Sequence, residues 1–293
     1  MLDPAANPMP LDYQKIRHWK FADISHVYTS RDAILYALAV GYGEDPTDSR
    51  QLPFVYEEAQ AIAPTFPVVL GYPGFWMRDP AAGIDWTKLL HAGQCLRLLA
   101  PLRPQGRVVG RTRIKAIVDK GADRGALVIQ EREIVDCATG TIVAVMEQAT
   151  LCRNEGGFGG GDVAPPRPPP VPECTHDAVV DLPTIPQSAL LYRLCADPNP
   201  MHADPAVARS AGFDRPILHG LCSFGFAAHA LLRALCNYDP TRLAGIAVRF
   251  SMPVFPGETL RTQVWRSGNE VAFRTIALER AVTVLDHGTA LIR

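Results

Sequence analysis

The stretch CADPNPMH (residues 195–202) carries an aspartate, an asparagine and a histidine, Asp197, Asn199 and His202, separated by Pro198 and Pro200. Proline fixes its own φ and drives the residue before it toward extended backbone, so Asp197 and Asn199 are both biased away from helix. The stretch is therefore a shaped loop. Such side chains can close a turn on their own backbone, or a carboxylate and an imidazole can form an acid/base site. The surrounding elements have to decide between the two.

Downstream, ILHGLCSFGFAAHALLRAL (217–235) is long, apolar and free of proline, the pattern of a buried helix. Strand-like runs separated by turn signals follow at 258–267, 270–280 and 282–292, and a matching set stands at 107–118, 123–136 and 141–153. The halves repeat one another: AILYALAVGYGEDPTD (33–48) matches ALLYRLCADPNPMHAD (189–204), and FPVVLGYPG (66–74) matches RPILHGLCSFG (215–225) with the same Pro-x-x-x-Gly spacing. RLLAPLRPQGRVVGRTRI (97–114) matches VRFSMPVFPGETLRTQVW (248–265). EGGFGGGDVAPPRPPPVPEC (155–174) reads as a linker, flexible first and then stiff. The organisation expected is a first repeat over 1–155, a Gly/Pro-rich linker over 156–174 and a second repeat over 175–293, each a long helix wrapped by antiparallel sheet, with the two sheets joining or sharing an interface.

A length of 293 residues with 47% hydrophobic content supports about two domain-sized cores. With 29 basic and 30 acidic residues the net charge is −1, and no basic run is interleaved with aromatics, so a nucleic-acid surface is not expected. Seven cysteines without a C-x-x-C pair point to free thiols and a reducing compartment. The first residues lack a secretory pattern, no run approaches a membrane span, and the final TALIR carries no recognised address. A cytoplasmic protein is expected, or a peroxisomal one in a eukaryote.

The ordered segment YRLCADPNPMHADPAVARSAGFDRPILHGLCSFGFAAHAL (192–231) resembles the signature of the hydratase 2 group, MaoC-like (R)-specific 2-enoyl-CoA hydratases with a hot-dog fold. In the first half, YALAVG, FVYEE, PTFPVVLG, LLHAGQ and GGFGG resemble the degenerate repeat of the two-repeat members, including the hydratase part of peroxisomal multifunctional enzymes. The resemblance implies an α+β double hot-dog fold with one active site at Asp197, Asn199, His202 and Gly220. It implies further acyl-CoA contacts at His91, Lys120 and Phe250, an acyl-CoA thioester as substrate, no cofactor, and a homodimer as a plausible assembly. Two departures stand out: Cys195 and Ala196 occupy positions where the family has a Ser-Gly pair, and Ala92 one where glycine is common.

Hydration of a 2-enoyl thioester needs a water activated toward C3, a proton for C2 and donors for the enolate on the thioester oxygen. Asp197 can act as base and proton carrier while His202 orients the water, though a coupled Asp/His pair titrates as a unit. Gly220, near the helix start, offers a backbone N–H and the positive end of the helix dipole. Taken singly, His91 reads equally as a structural histidine, Lys120 as a solvated lysine that can also meet a CoA phosphate, and Phe250 as core. His202, His219 and His229 lack metal-ligand spacing, so no metal is expected, and Cys195 reads as a small filler. Gly41, Gly43 and Pro46 align with Asp197, Asn199 and His202, so the first repeat keeps no acid/base pair; by the resemblance it makes room for long or bulky acyl groups. The rival readings are an acyl-CoA thioesterase on the same fold and a non-catalytic acyl-CoA-binding subunit.

Overall fold

The computed structural model describes residues 10–166, 168–195 and 197–293; Ala196, one of the two small residues preceding Asp197, lies outside them. Ten strands form a single sheet: β1 (Ile24–Tyr28), β2 (Leu89–Leu98), β3 (Gly106–Asp119), β4 (Ala126–Asp136), β5 (Ile142–Cys152), β6 (Ala178–Pro183), β7 (Leu243–Phe250), β8 (Thr259–Ser267), β9 (Glu270–Ala277) and β10 (Val282–Ile292). Their order is β1-β3-β4-β5-β2-β7-β10-β9-β8-β6. Read outward from the centre, both halves have the same order, so the internal repeat of the sequence is a repeat of topology. The halves join where β2 and β7 pair antiparallel, Gly93 opposite Arg249 through Arg97 opposite Gly245. One hydrophobic core spans both repeats. This is the double hot-dog fold.

Helix Gly220–Leu231 is apolar all round, and its residues from Cys222 to Leu231 are all buried, as a helix without a polar face must be. It widens into a π turn over Leu232–Cys236 and stops at Asn237, in the left-handed region at φ 49°. The expectation of a long helix in each repeat holds for the second only. After Gly71, the counterpart of Gly220, the chain makes short 3₁₀ turns at Trp76–Arg78, Pro80–Ala82 and Trp86–Lys88. Pro73, Gly74, Pro80 and Gly83 prevent a continuous helix there. The first repeat's main helix is instead Ser30–Ala39, started by a capping box between Thr29 and Asp32.

The glycine-rich part of the linker is docked onto the sheet. Asp119 accepts hydrogen bonds from the N–H groups of Gly157 and Gly159, and Asp162 bonds Ile117 through both its main chain and its carboxylate. One carboxylate at the end of β3, Asp119, and one in the linker itself, Asp162, fix a stretch whose composition alone reads as flexible.

Candidate active site

Around the proline-braced loop, turn and site are the same object. Asp197 Oδ1 accepts the N–H of Asn199 at 3.0 Å, and Asn199 Oδ1 accepts the N–H of Met201 at 3.1 Å, capping the 3₁₀ turn Pro200–His202. These bonds use Asn199 to hold the loop and leave Asp197 Oδ2 available. His202 is buried, and its Nδ1 lies 2.8 Å from the carbonyl of Ile217. A carbonyl only accepts, so Nδ1 carries the proton and Nε2 presents a lone pair. Burial lowers the pKa of His202, opposed by the Ile217 bond and the charge of Asp197.

A third side chain belongs here, which the sequence offered only as one of three histidines without metal-ligand spacing. His219 stacks on His202 with ring centroids 3.7 Å apart, and its Nε2 donates to the main-chain carbonyl of Asp197 at 3.2 Å. Its Nδ1 is buried without a partner among the described residues. Burial, then the neighbouring His202, pushes its pKa down to about 3, so the ring is neutral. Ligand atoms of Asp197, His202 and His219 all lie within 4.8 Å of one another, close enough to surround one small polar molecule or a cation. His229, from the triplet of histidines weighed in the sequence, lies elsewhere, bonded to Val40 and Tyr238.

Gly220 is the first residue of the long helix, directly after His219. No side chain caps this helix, so the N–H groups of its first residues, which have no acceptor inside the helix, stay available to a ligand. A Cβ on Gly220 would sit 3.1 Å from Cε1 of Phe250. Phe250 in turn meets His91 with ring centroids 4.5 Å apart. His91 reaches this position through a bulge in β2, where Ala92 is the extra residue between the pairs His91–Thr150 and Gly93–Ala149. Its Nε2 is buried without a partner among the described residues, and burial lowers its pKa to about 4. The structure thus gathers Asp197, Asn199 and His202 on one loop, and Gly220, Phe250 and His91 in one contact chain leading from it. It does not bring Lys120 into either group: that residue follows β3 at the turn into β4, away from the β2–β7 junction.

Two neighbours complete the picture. Burial and then Asp32, rather than Asp197, raise the Cys195 thiol to about 12, which makes it a poor nucleophile. Gly41, the counterpart of Asp197, adopts φ +87°, and Phe226 of the long helix occupies the space where its Cβ would stand, 2.5 Å away. The first-repeat position is closed to an acidic side chain.

Residues 169–287 match the family described as MaoC like domain, and residues 26–154 match the MFE-2 hydratase 2 N-terminal domain. The chain is 36% identical to "Enoyl-CoA hydratase ChsH3" of Mycobacterium tuberculosis over 97% of its own length and 99% of that protein's. It is 34% identical to "Enoyl-CoA hydratase 2, peroxisomal" of Arabidopsis thaliana, covering 91% of each. Among solved structures, a MaoC-like dehydratase from Phytophthora capsici superposes with a TM-score of 0.85 at 32% identity, covering 97% of this chain and 99% of that one. Loop, uncapped helix, repeat topology and these likenesses agree: the chain belongs to the MaoC-like hydratase 2 family, in its two-repeat form.

Proposed function

We propose that this chain is a hydro-lyase that reversibly hydrates trans-2-enoyl-CoA to (3R)-3-hydroxyacyl-CoA, in β-oxidation of fatty-acyl, branched or steroid side chains. The observation that carries the reading is the convergence of Asp197 and His202 within 4.8 Å, next to a helix that begins uncapped at Gly220. Asp197 Oδ2 and the lone pair of His202 Nε2 are two acceptors for the two O–H bonds of one water, whose own lone pair then faces C3. The oxygen bonds to C3, Asp197 takes the proton and delivers it to C2 on the same face, and the enolate oxygen rests on the N–H of Gly220. One such donor is typically worth about 3 kcal/mol of barrier. His202 orients the water, and His219 positions Asp197 through the loop carbonyl.

Side chains and a backbone N–H supply base, proton and oxyanion donor, so the proposed reaction uses no cofactor beyond the CoA of the substrate. His91 and Phe250 flank the thioester, and Lys120 meets a CoA phosphate. All seven cysteines are free thiols, in keeping with a reducing compartment, cytoplasmic or peroxisomal. No helix among the described residues is long and apolar enough to cross a membrane. Two copies can pair, although each chain already joins two repeats. Incubation with crotonyl-CoA and with a long-chain enoyl-CoA tests the reading: enoyl-thioester absorbance is lost with no free thiol released. Thiol release without hydration would make the chain a thioesterase.

A further inference from the structure

The concave face of the first half-sheet, where the second repeat carries its helix, has a polar interior. Along β4 the inward residues are Ala126, Val128, Gln130, Arg132 and Ile134, so two polar side chains interrupt an apolar row. Register extends the interruption: Gln130 stands opposite Gln148 on β5, which stands opposite Gln94 on β2, while Arg132 stands opposite Met146. Gln130 accepts from the indole N–H of Trp76 at 2.9 Å.

Arg132 is 5% exposed. Its Nη2 reaches the carbonyl of Val68 at 2.7 Å and the sulfur of Met146 at 3.0 Å, while its Nε and Nη1 are buried without partners. It forms no ion pair with any acidic residue among those described. The ring of Tyr72 lies beneath its guanidinium, 5.5 Å to the centroid. Burial brings its pKa down to about 10, which still leaves it a cation at neutral pH. Arg132, Tyr72, the three glutamines and Leu221 line a cavity of ≈ 20 Å³, about the room for one water or one small polar group. Leu221 is bonded to Gly220, so this cavity adjoins the oxyanion position. Burial raises the Tyr72 phenol, the charge of Asp197 adds to this and that of Arg132 opposes it, so the ring lies near both the reaction site and the cation.

A buried charge without a counter-charge is costly to the fold, and the Nε and Nη1 N–H groups, which point to different sides of the guanidinium, each leave a charge-assisted hydrogen bond open to an anionic oxygen. We propose that Arg132 receives a carboxylate at the far end of the acyl group, so that the preferred substrates are ω-carboxy-2-enoyl-CoA esters. The three glutamines solvate the same end, and Tyr72 lines the way to it. This rests on the hydratase reading for where the thioester sits, not for the existence of the anion receptor.

Binding and turnover separate the two. By titration calorimetry, a saturated ω-carboxyacyl-CoA of medium chain length binds the wild-type protein at least roughly tenfold more tightly than the methyl-ended acyl-CoA of equal length, as one charge-assisted hydrogen bond warrants. In Arg132→Met the ratio falls to about one or reverses. Arg132→Lys, which keeps the charge but not the positions of the guanidinium N–H groups, retains an intermediate ratio. Equal wild-type affinities, or a preference for the methyl end, overturn the inference without any variant being needed. A ratio unchanged in Arg132→Met overturns it as well. Carboxylate preference in binding with no hydration of either enoyl ester sinks the hydratase reading and supports the receptor.

Discussion

The imidazole of His219 lies flat against that of His202, centroids 3.7 Å apart, while its Nε2 holds the main-chain carbonyl of Asp197 at 3.2 Å. One side chain from the helix start thereby fixes both members of the acid/base pair. His219→Ala should lower kcat by roughly ten- to a hundredfold with a smaller change in KM, because it loosens geometry rather than removing a reacting group. His219→Gln, able to donate to the same carbonyl, should recover part of the loss. Steady-state kinetics of both variants decide this; an unchanged kcat in His219→Ala removes the positioning role.

Asp197→Asn keeps an oxygen for the Asn199 turn bond and loses the base. Its kcat should fall by about 10²- to 10⁴-fold with the melting temperature nearly unchanged, and His202→Ala should fall comparably. Circular dichroism alongside initial rates checks both. Near-normal rates in folded variants would dissolve the site.

Gly220→Ala places a methyl group against Cε1 of Phe250. Activity should drop at least about tenfold, since the ring or the helix start must shift by tenths of an ångström at the oxyanion donor. Adding Phe250→Leu should return part of the rate, and the double-mutant cycle measures that coupling. Independent effects of the two changes would separate Phe250 from the site.

Several histidines are buried in their neutral form. His91 is lowered to about 4, and His219 and His229 to about 3, mainly by burial. Below the unfolded value near 6.5 the unfolded chain takes up protons that the native protein refuses, so stability falls as pH drops from about 6.5 toward 4. The slope approaches about 1.4 kcal/mol per pH unit for each imidazole. Urea denaturation at pH 7, 6 and 5 reads it, and a flat profile would contradict the buried-neutral assignment. His202, also lowered by burial, must be neutral to accept from water, so kcat/KM should rise through a pKa below 6.5 and be level near neutrality.

Much of this was legible in residue order. The strand runs at 107–118 and 282–292 fall on β3 and β10, and the Asp-Pro-Asn-Pro spacing marked both the turn and the acid/base pair it holds. The absent first-repeat helix was also written there, in Pro73, Gly74, Pro80 and Gly83, but the Pro-x-x-x-Gly match to the second repeat masked it. His219 could not be read from spacing, because its partners lie 17 and 22 positions back and meet it only through tertiary packing. Gln130 and Arg132 stand two apart in ALVIQEREIVD, yet only the register of β4, β5 and β2 shows that they join Gln148 and Gln94 in one polar row.

Product configuration tests the central claim most directly. Wild-type protein with crotonyl-CoA should yield (3R)-3-hydroxybutyryl-CoA, with deuterium from D₂O at C2 on the same face as the new hydroxyl, and Asp197→Asn should abolish formation of that product. A (3S) product, anti addition, or a full rate in Asp197→Asn would contradict the site and mechanism assigned to Asp197, His202 and Gly220.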